Sequence, residues 1–121
     1  MTTRLCALED VKPGGALALD VALPDGPRRL LVVATAGGPE VYLNSCPHTG
    51  VRLDWTPGRL FDCSGRYLQC ATHGALFDPA GGQCVSGPCA GRGLVRVPSR
   101  VLDGDLVVDA GVRVPSSAPR R

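Results

Sequence analysis

Leucine and valine alternate with other residues along the apolar parts of this sequence, and no segment repeats them at the 3.6-residue period of a helix. The clearest alternation covers residues 17–23, where alanine and aspartate separate the larger apolar residues, which is typical of a half-buried strand. Sixteen glycines and eleven prolines supply the many turns that short strands need. The pattern predicts an all-β fold.

Two hairpins are predicted from the turn residues. Residues 30–33 are a second apolar run after the alternating one, so the two runs predict a first hairpin. Pro24 and Pro27 flank the turn between these runs, which favours a loop longer than two residues. Asp103-Gly104 lies between apolar runs near the end of the chain and is the strongest hairpin signal in the sequence.

The length of 121 residues allows one hydrophobic core, since proteins of this size bury roughly two thirds of the surface that unfolding exposes. We therefore expect a single domain over residues 1–111. Residues 112–121 contain mostly Pro, Ser and Arg, which predicts a flexible tail. Residues 45–93 are rich in Gly, Pro, Cys and polar residues, and so long a loop-rich stretch is usually functional.

The charge and the N-terminus exclude several classes of protein. The net charge is only +2, and the twelve arginines and one lysine are scattered, so no nucleic-acid partner is expected. The first ten residues contain no apolar signal core, and no apolar run approaches the ~18 residues of a membrane span. We expect no membrane contact and a cytoplasmic location, where cysteines are more often ligands or inert core residues than disulfide partners.

Two short motifs in the loop-rich stretch each join a cysteine to a histidine. They are Cys46-Pro47-His48-Thr49-Gly50 and Cys70-Ala71-Thr72-His73-Gly74, and they contain both histidines of the chain. Residues i and i+2 of an extended segment point to the same side, so Cys46 and His48 can face one centre. A turn with the C-x-x-H spacing brings Cys70 and His73 together in the same way. These four residues are the candidate metal ligands.

The mixed composition of each motif distinguishes between metal centres. A tetrahedral zinc site uses the same ligand set, but zinc fingers normally pair Cys with Cys and His with His in separate arms. Mixed arms fit a binuclear [2Fe-2S] centre in which one iron takes both cysteines and the other takes both histidines.

A cluster bound by four cysteines is the third alternative. It would use Cys63, Cys70, Cys84 and Cys89, but Arg92 stands where the plant-type spacing requires the next cysteine, so we reject it. Cys84 and Cys89 then have two alternatives, a disulfide that braces their loop or two inert buried thiols.

The chain resembles the Rieske [2Fe-2S] ferredoxins and other Rieske-domain proteins. The resemblance rests on the two motifs and on the Gly81-Gly82 and Gly87-Pro88 pairs that follow them, and it extends from about Leu5 to Asp109. It implies a Rieske-type antiparallel β-sandwich as the base. Residues 45–93 would be inserted in this base as a smaller, loop-rich cluster-binding subdomain.

The resemblance also implies how one [2Fe-2S] cluster per chain is bound. Cys46 and Cys70 would bind the inner iron, and His48 and His73 would bind the outer, more exposed iron. Gly87-Pro88 would belong to the loop that covers the cluster. No residue is implied to be catalytic.

The sequence departs from the family pattern in three respects. The interval between the motifs is longer than usual, which predicts an extra hairpin around residues 62–65. Val51 and Thr72 stand where respiratory Rieske proteins have two disulfide-bonded cysteines, so that bridge is not expected. Ala75 and Phe77 replace the serine and tyrosine of high-potential members and donate no O–H. We therefore expect a low-potential centre, nearer roughly −150 mV than +300 mV.

The function implied by the resemblance is that of an electron carrier and not an enzyme. We expect the chain to pass single electrons from a reductase to an oxygenase or another terminal oxidoreductase. One alternative is the electron-entry small subunit of a larger oxidoreductase, either nitrite-reductase-like or ring-hydroxylating. A further alternative is a zinc-stabilised β module that binds partner proteins.

Overall fold

The computed structural model describes residues 2–12, 15–24, 26–45, 53, 60–61, 66–70, 75–87, 93–109, 111–112 and 114. One turn of 3-10 helix, Leu8–Asp10, interrupts the strands among these residues. The prediction of an all-β fold is confirmed. In chain order the described strands are β1 (Thr2–Ala7), β2 (Ala16–Leu23), β3 (Gly26–Thr35), β4 (Gly38–Leu43), β5 (Leu68–Gln69), β6 (Leu76–Phe77), β7 (Cys84–Ser86), β8 (Arg100–Leu102) and β9 (Asp105–Asp109).

The strands form three antiparallel sheets of three strands each. The terminal sheet has the order β1-β9-β8 and joins the first described strand to the last. The central sheet has the order β2-β3-β4, and the small sheet has the order β5-β6-β7. The first two sheets contain the longer strands, and the small sheet lies in the stretch that carries both Cys/His motifs.

Strand β3 is buried on both faces. Leu30 and Val32 pack in one apolar cluster, and Leu31 and Val33 pack in a second. All four side chains are fully buried. An uninterrupted apolar run is what a strand covered on both sides requires. Residues 30–33 therefore place the central sheet between two cores.

The two clusters lie on opposite faces of the central sheet. We call the first cluster the base core, because it lies between the terminal and central sheets, and the second the subdomain core. Full burial of each large apolar side chain contributes roughly 1.5–3 kcal/mol. The base core contains Leu5, Cys6, Val11, Leu23, Leu30, Val32, Val41, Leu43, Val97, Leu106, Val108 and Val114. The subdomain core contains Leu31, Val33, Tyr42, Leu53, Leu68, Cys70, Ala75, Phe77, Cys84 and Leu94.

Residues 93–97 connect the small sheet to the central sheet. At one end, the Leu94 N–H donates to the Gly82 carbonyl at 2.7 Å. At the other end, the Leu43 N–H at the end of β4 donates to the Val95 carbonyl at 2.8 Å. These bonds join the backbone of the two sheets directly.

Tyr42 anchors the subdomain to the central sheet. Its side chain is fully buried in the subdomain core, and its hydroxyl donates a hydrogen bond to the Pro79 carbonyl at 2.7 Å. Burial raises the pKa of Tyr42 to about 12, so the phenol remains a neutral donor at physiological pH.

The first hairpin is tighter than the sequence predicts. Leu23 at the end of β2 pairs with Gly26 at the start of β3, so only residues 24 and 25 separate the strands. The expectation of a longer loop is wrong for two reasons. Gly26 has a φ of +120°, which only glycine adopts readily. The pairing of β3 with β4 begins at Leu30, so Pro27 lies on a part of β3 that has no partner on the β4 side. Such an edge position tolerates proline.

The Asp103-Gly104 hairpin is confirmed. Leu102 pairs with Asp105 across the turn. Asp103 has a φ of 52° and Gly104 a φ of 82°, and positive values at both central residues are the signature of a type I′ turn.

The packed part of the chain continues into the predicted tail. Val112 packs against the base core and Val114 is buried in it. The Val114 carbonyl accepts a hydrogen bond from Nε of Arg28 at 2.9 Å. The fold therefore extends at least to residue 114, whereas the sequence places the tail at residues 112–121.

Candidate metal centre

Cys70 is the one predicted ligand among the residues that the structure describes; Cys46, His48 and His73 lie outside them. Cys70 directly follows β5, and its side chain has no exposure to solvent. It belongs to the subdomain core. The described residues contain no group of three or more candidate metal-binding side chains.

The segment that carries His73 is closed at its base by strand pairing. Strands β5 and β6 pair in an antiparallel register, with Gln69 opposite Leu76. The Cys70 N–H then donates to the Ala75 carbonyl at 2.9 Å. Cys70 and Ala75 therefore hold the two ends of residues 71–74 together, and the second motif is tied to a buried hairpin.

The segment that carries Cys46 and His48 is closed by a side chain. The Leu53 N–H donates to Oδ1 of Asn44 at 2.7 Å. Asn44 is 5% exposed and Leu53 is fully buried. This bond fixes the two ends of residues 45–52, which begin immediately after β4 and Asn44.

The subdomain core joins the ends of both segments. Leu53 ends the first segment, while Cys70 and Ala75 flank the second, and all three side chains are fully buried in this one core. One end of the first segment and both ends of the second therefore lie in the same core. This arrangement fits a centre whose thiolate and imidazole ligands come in pairs from two adjacent segments.

A third segment, residues 88–92, is flanked by two glycines with close backbone contacts. Gly87 immediately precedes it, with a φ of +105°. A Cβ atom at Gly87 would lie 2.9 Å from Cα of Ala75, so only glycine allows this approach. On the far side of the segment, Gly93 forms a bridge with Gln83. The expected covering loop therefore begins next to Ala75, at the base of the second motif, and its far end is paired with Gln83. Pro88 itself lies outside the described residues.

Two positions expected to lower the potential are buried in the same core as Cys70. Ala75 and Phe77 have no solvent exposure and belong to the subdomain core. Neither side chain carries a hydroxyl that could donate to a cluster sulfur. The low potential itself stays a prediction.

The remaining described cysteines lie in apolar surroundings. The Cys84 thiol is buried in the subdomain core and donates to the Ser86 carbonyl at 3.3 Å. Burial raises the pKa of the Cys6 thiol, which lies in the base core. Cys63 and Cys89 lie outside the described residues, so both alternatives for the Cys84 and Cys89 pair stay open.

The strand pairing around the predicted extra hairpin is present. Phe61 forms an antiparallel bridge with Leu68, and the Gln69 N–H donates to the Leu60 carbonyl at 2.8 Å. The turn expected at residues 62–65 lies outside the described residues, as do Val51 and Thr72 at the expected disulfide positions.

Comparison with protein families identifies the chain's class. The model of the Rieske [2Fe-2S] domain matches residues 2–108. The chain therefore belongs to the Rieske [2Fe-2S] domain family, and its cofactor is a Rieske-type [2Fe-2S] cluster. A search of curated protein sequences found no significant match.

Solved structures share the fold over nearly the whole chain. A ferredoxin of Sphingomonas yanoikuyae B1 is 27% identical, with a TM-score of 0.68, and the match covers 90% of this chain and 98% of that one. A complex of reduced oxygenase and oxidised ferredoxin in carbazole 1,9a-dioxygenase contains a chain 22% identical, with a TM-score of 0.70 and coverage of 94% and 97%. A protein described as a putative NADH-dependent nitrite reductase small subunit from Mycobacterium tuberculosis is 24% identical, with a TM-score of 0.62 and coverage of 95% and 96%.

In the described part of the chain, no helix has the length and apolar character needed to cross a membrane.

Proposed function

We propose that this chain is a one-electron carrier that accepts an electron from a reductase and passes it to an oxygenase or another terminal oxidoreductase. The observation that carries the proposal is the family match over residues 2–108. Mutual coverage with the Sphingomonas ferredoxin, 90% of this chain and 98% of that one, supports the ferredoxin role. A bound Rieske cluster takes up and releases one electron reversibly, and it carries out no reaction on a substrate.

The ligand assignment is part of this proposal. Cys46 and Cys70 would hold the inner iron, and His48 and His73 the outer iron, within a subdomain formed by residues 45–93. Two observations support it: the full burial of Cys70, and the closure of both motif segments on the subdomain core. A buried thiolate beside more exposed imidazoles would leave the histidine side of the centre as the route for the electron.

Partner proteins follow from the same reasoning. One similar structure is a complex of oxygenase and ferredoxin, which supports a terminal oxygenase as the acceptor of this chain. We propose an electron carrier without catalytic residues of its own. A cytoplasmic location stays a prediction from the sequence.

Metal analysis and reductive titration of the purified chain test the proposal. We expect two irons and two acid-labile sulfides per chain, and reversible uptake of one electron per cluster from dithionite. A zinc protein that takes up no electron would contradict the proposal and favour the zinc-stabilised module.

A second candidate function is that of an electron-entry subunit in a larger oxidoreductase. The similarity to the described nitrite reductase small subunit favours it. Purification of the tagged chain from its own cells at native expression separates the two roles. A large oxidoreductase subunit in equal stoichiometry would indicate a subunit, and recovery of the chain alone would indicate a diffusing ferredoxin.

A further inference from the structure

We propose that Asn44 is a positioning residue for Cys46 and His48, because its side-chain carbonyl closes the segment that carries them. This inference rests on the proposed ligand assignment and deepens it. The sequence signal is an asparagine two positions before the first motif cysteine, a position that the motif itself does not include.

The backbone of Asn44 is fixed independently of its side chain. Its N–H donates to the Arg29 carbonyl on β3 at 2.8 Å, although β4 has already ended at Leu43. Asn44 therefore extends the contact with the central sheet by one residue. From this fixed position, Oδ1 reaches the Leu53 N–H at 2.7 Å.

The amide of Leu53 depends on this side chain. The Leu53 side chain is fully buried in the subdomain core, and Asn44 is 95% buried, so solvent has little access to the bond between them. A buried N–H that loses its acceptor carries the full cost of desolvation. Removal of Oδ1 would release Leu53, and with it the end of the segment that carries both ligands.

The two motif segments differ in length, which explains why a side chain closes the first and the backbone closes the second. Residues 71–74 are few enough for the backbone pair of Cys70 and Ala75 to close them at 2.9 Å as an extension of the β5–β6 hairpin. Residues 45–52 form a longer interval, which begins immediately after β4 and Asn44. The Asn44 side chain closes this first segment, whereas backbone pairing closes the second.

The test compares variants of the cluster-loaded full chain. Asn44→Ala removes the acceptor, whereas Asn44→Asp keeps an oxygen acceptor in a side chain of the same shape. Val108→Ala is the control for general loss of stability, because Val108 is buried in the base core and does not belong to the subdomain core. Loss of visible absorbance is followed in excess iron chelator under native conditions, and the urea midpoint is measured in parallel.

We expect Asn44→Ala to lose its cluster roughly ten- to a hundredfold faster than wild type, as loss of a buried hydrogen-bond partner implies. Asn44→Asp should recover most of the retention. Val108→Ala should lower the urea midpoint but release the cluster at a rate near wild type. The proposal would be overturned if Asn44→Ala and wild type lost the cluster at equal rates. It would also be overturned if the rate of cluster loss in all variants followed the urea midpoint alone.

Hydrogen exchange of the wild-type chain provides a second test if Asn44→Ala does not fold. The Leu53 amide should be protected as strongly as the amides of β3, because both are buried and hydrogen-bonded. Exchange of Leu53 at the rate of an exposed amide would contradict the proposal. A wild-type chain that binds no iron would instead refute the proposed function, and the exchange of Leu53 would still be measurable.

Discussion

Substitution of Gly87 tests the close contact between Gly87, which precedes the expected covering loop, and Ala75, at the base of the second motif. Gly87 has a φ of +105°, and a Cβ added there would lie 2.9 Å from Cα and 3.2 Å from Cβ of Ala75. The Cα atom belongs to the backbone that flanks His73, so it cannot move aside as a flexible side chain would. Gly87→Ala should therefore either move the backbone at residue 87 away from Ala75 or strain the backbone at Ala75.

Gly38 offers a matched control for the backbone contribution. Its φ is +119°, close to that of Gly87, and a Cβ there would meet nothing within 4 Å. Both alanine variants place a side chain in a disfavoured backbone conformation, at a cost of about 1–3 kcal/mol. Gly87→Ala adds the overlap with Ala75, and overpacking of this kind costs about 1–3 kcal/mol more.

The assay is urea unfolding of the loaded protein, followed by far-ultraviolet circular dichroism and by visible absorbance. A difference of about 2 kcal/mol, with an m-value of about 2 kcal/mol/M, lowers the midpoint of Gly87→Ala by about 1 M urea relative to Gly38→Ala. If the two variants have the same midpoint, the contact between Gly87 and Ala75 does not restrict this position and the reasoning is refuted.

Three further predictions concern substituted side chains. Burial raises the pKa of Tyr42 from 10.0 to about 12. The neutral Tyr42 phenol therefore stabilises the fold fully below pH 10, and this stabilisation is lost as the pH rises through 12. The difference in unfolding free energy between wild type and Tyr42→Phe should therefore fall by roughly 2–3 kcal/mol across this window, and a constant difference in urea unfolding at pH 9 and above 11 would be inconsistent with it. Cys70→Ser should abolish the visible absorbance of the cluster, whereas Cys84→Ser should retain it; loss of colour in both variants would call the ligand assignment into question. Phe77→Tyr introduces a hydroxyl into the core that contains Cys70 and should raise the midpoint potential in voltammetry, while an unchanged potential would show that this hydroxyl does not reach the cluster.

Local sequence patterns predict the two strands of the first hairpin and the Asp103-Gly104 turn correctly, because the causes of these features are local. The alternation of residues 17–23 arises from the pleat of a single strand, and β2 covers it. Asp103-Gly104 forms its hairpin because these two residues accept positive φ. The Cys/His motifs are similarly local, and the family match agrees with the centre that they predict.

The features that the sequence does not reveal depend on contacts between distant residues. The tight first turn is possible because β4 ends its pairing with β3 at Leu30 and leaves Pro27 at an open edge. Val114 is held by the base core and by Arg28, a partner 86 residues earlier in the chain. The bond from Leu53 to Asn44 requires both the end of β4 and the subdomain core, so neither residue indicates it alone.

The central claim is that two cysteines and two histidines of this chain bind one [2Fe-2S] cluster. Electron paramagnetic resonance of the dithionite-reduced protein tests it most directly, because replacement of two thiolates by imidazoles on one iron changes the signal of the reduced cluster. We expect the signal of a Rieske centre, one spin per chain, with nitrogen couplings from two histidines. A signal without nitrogen ligands, or a colourless protein that contains zinc and gives no signal, would contradict it.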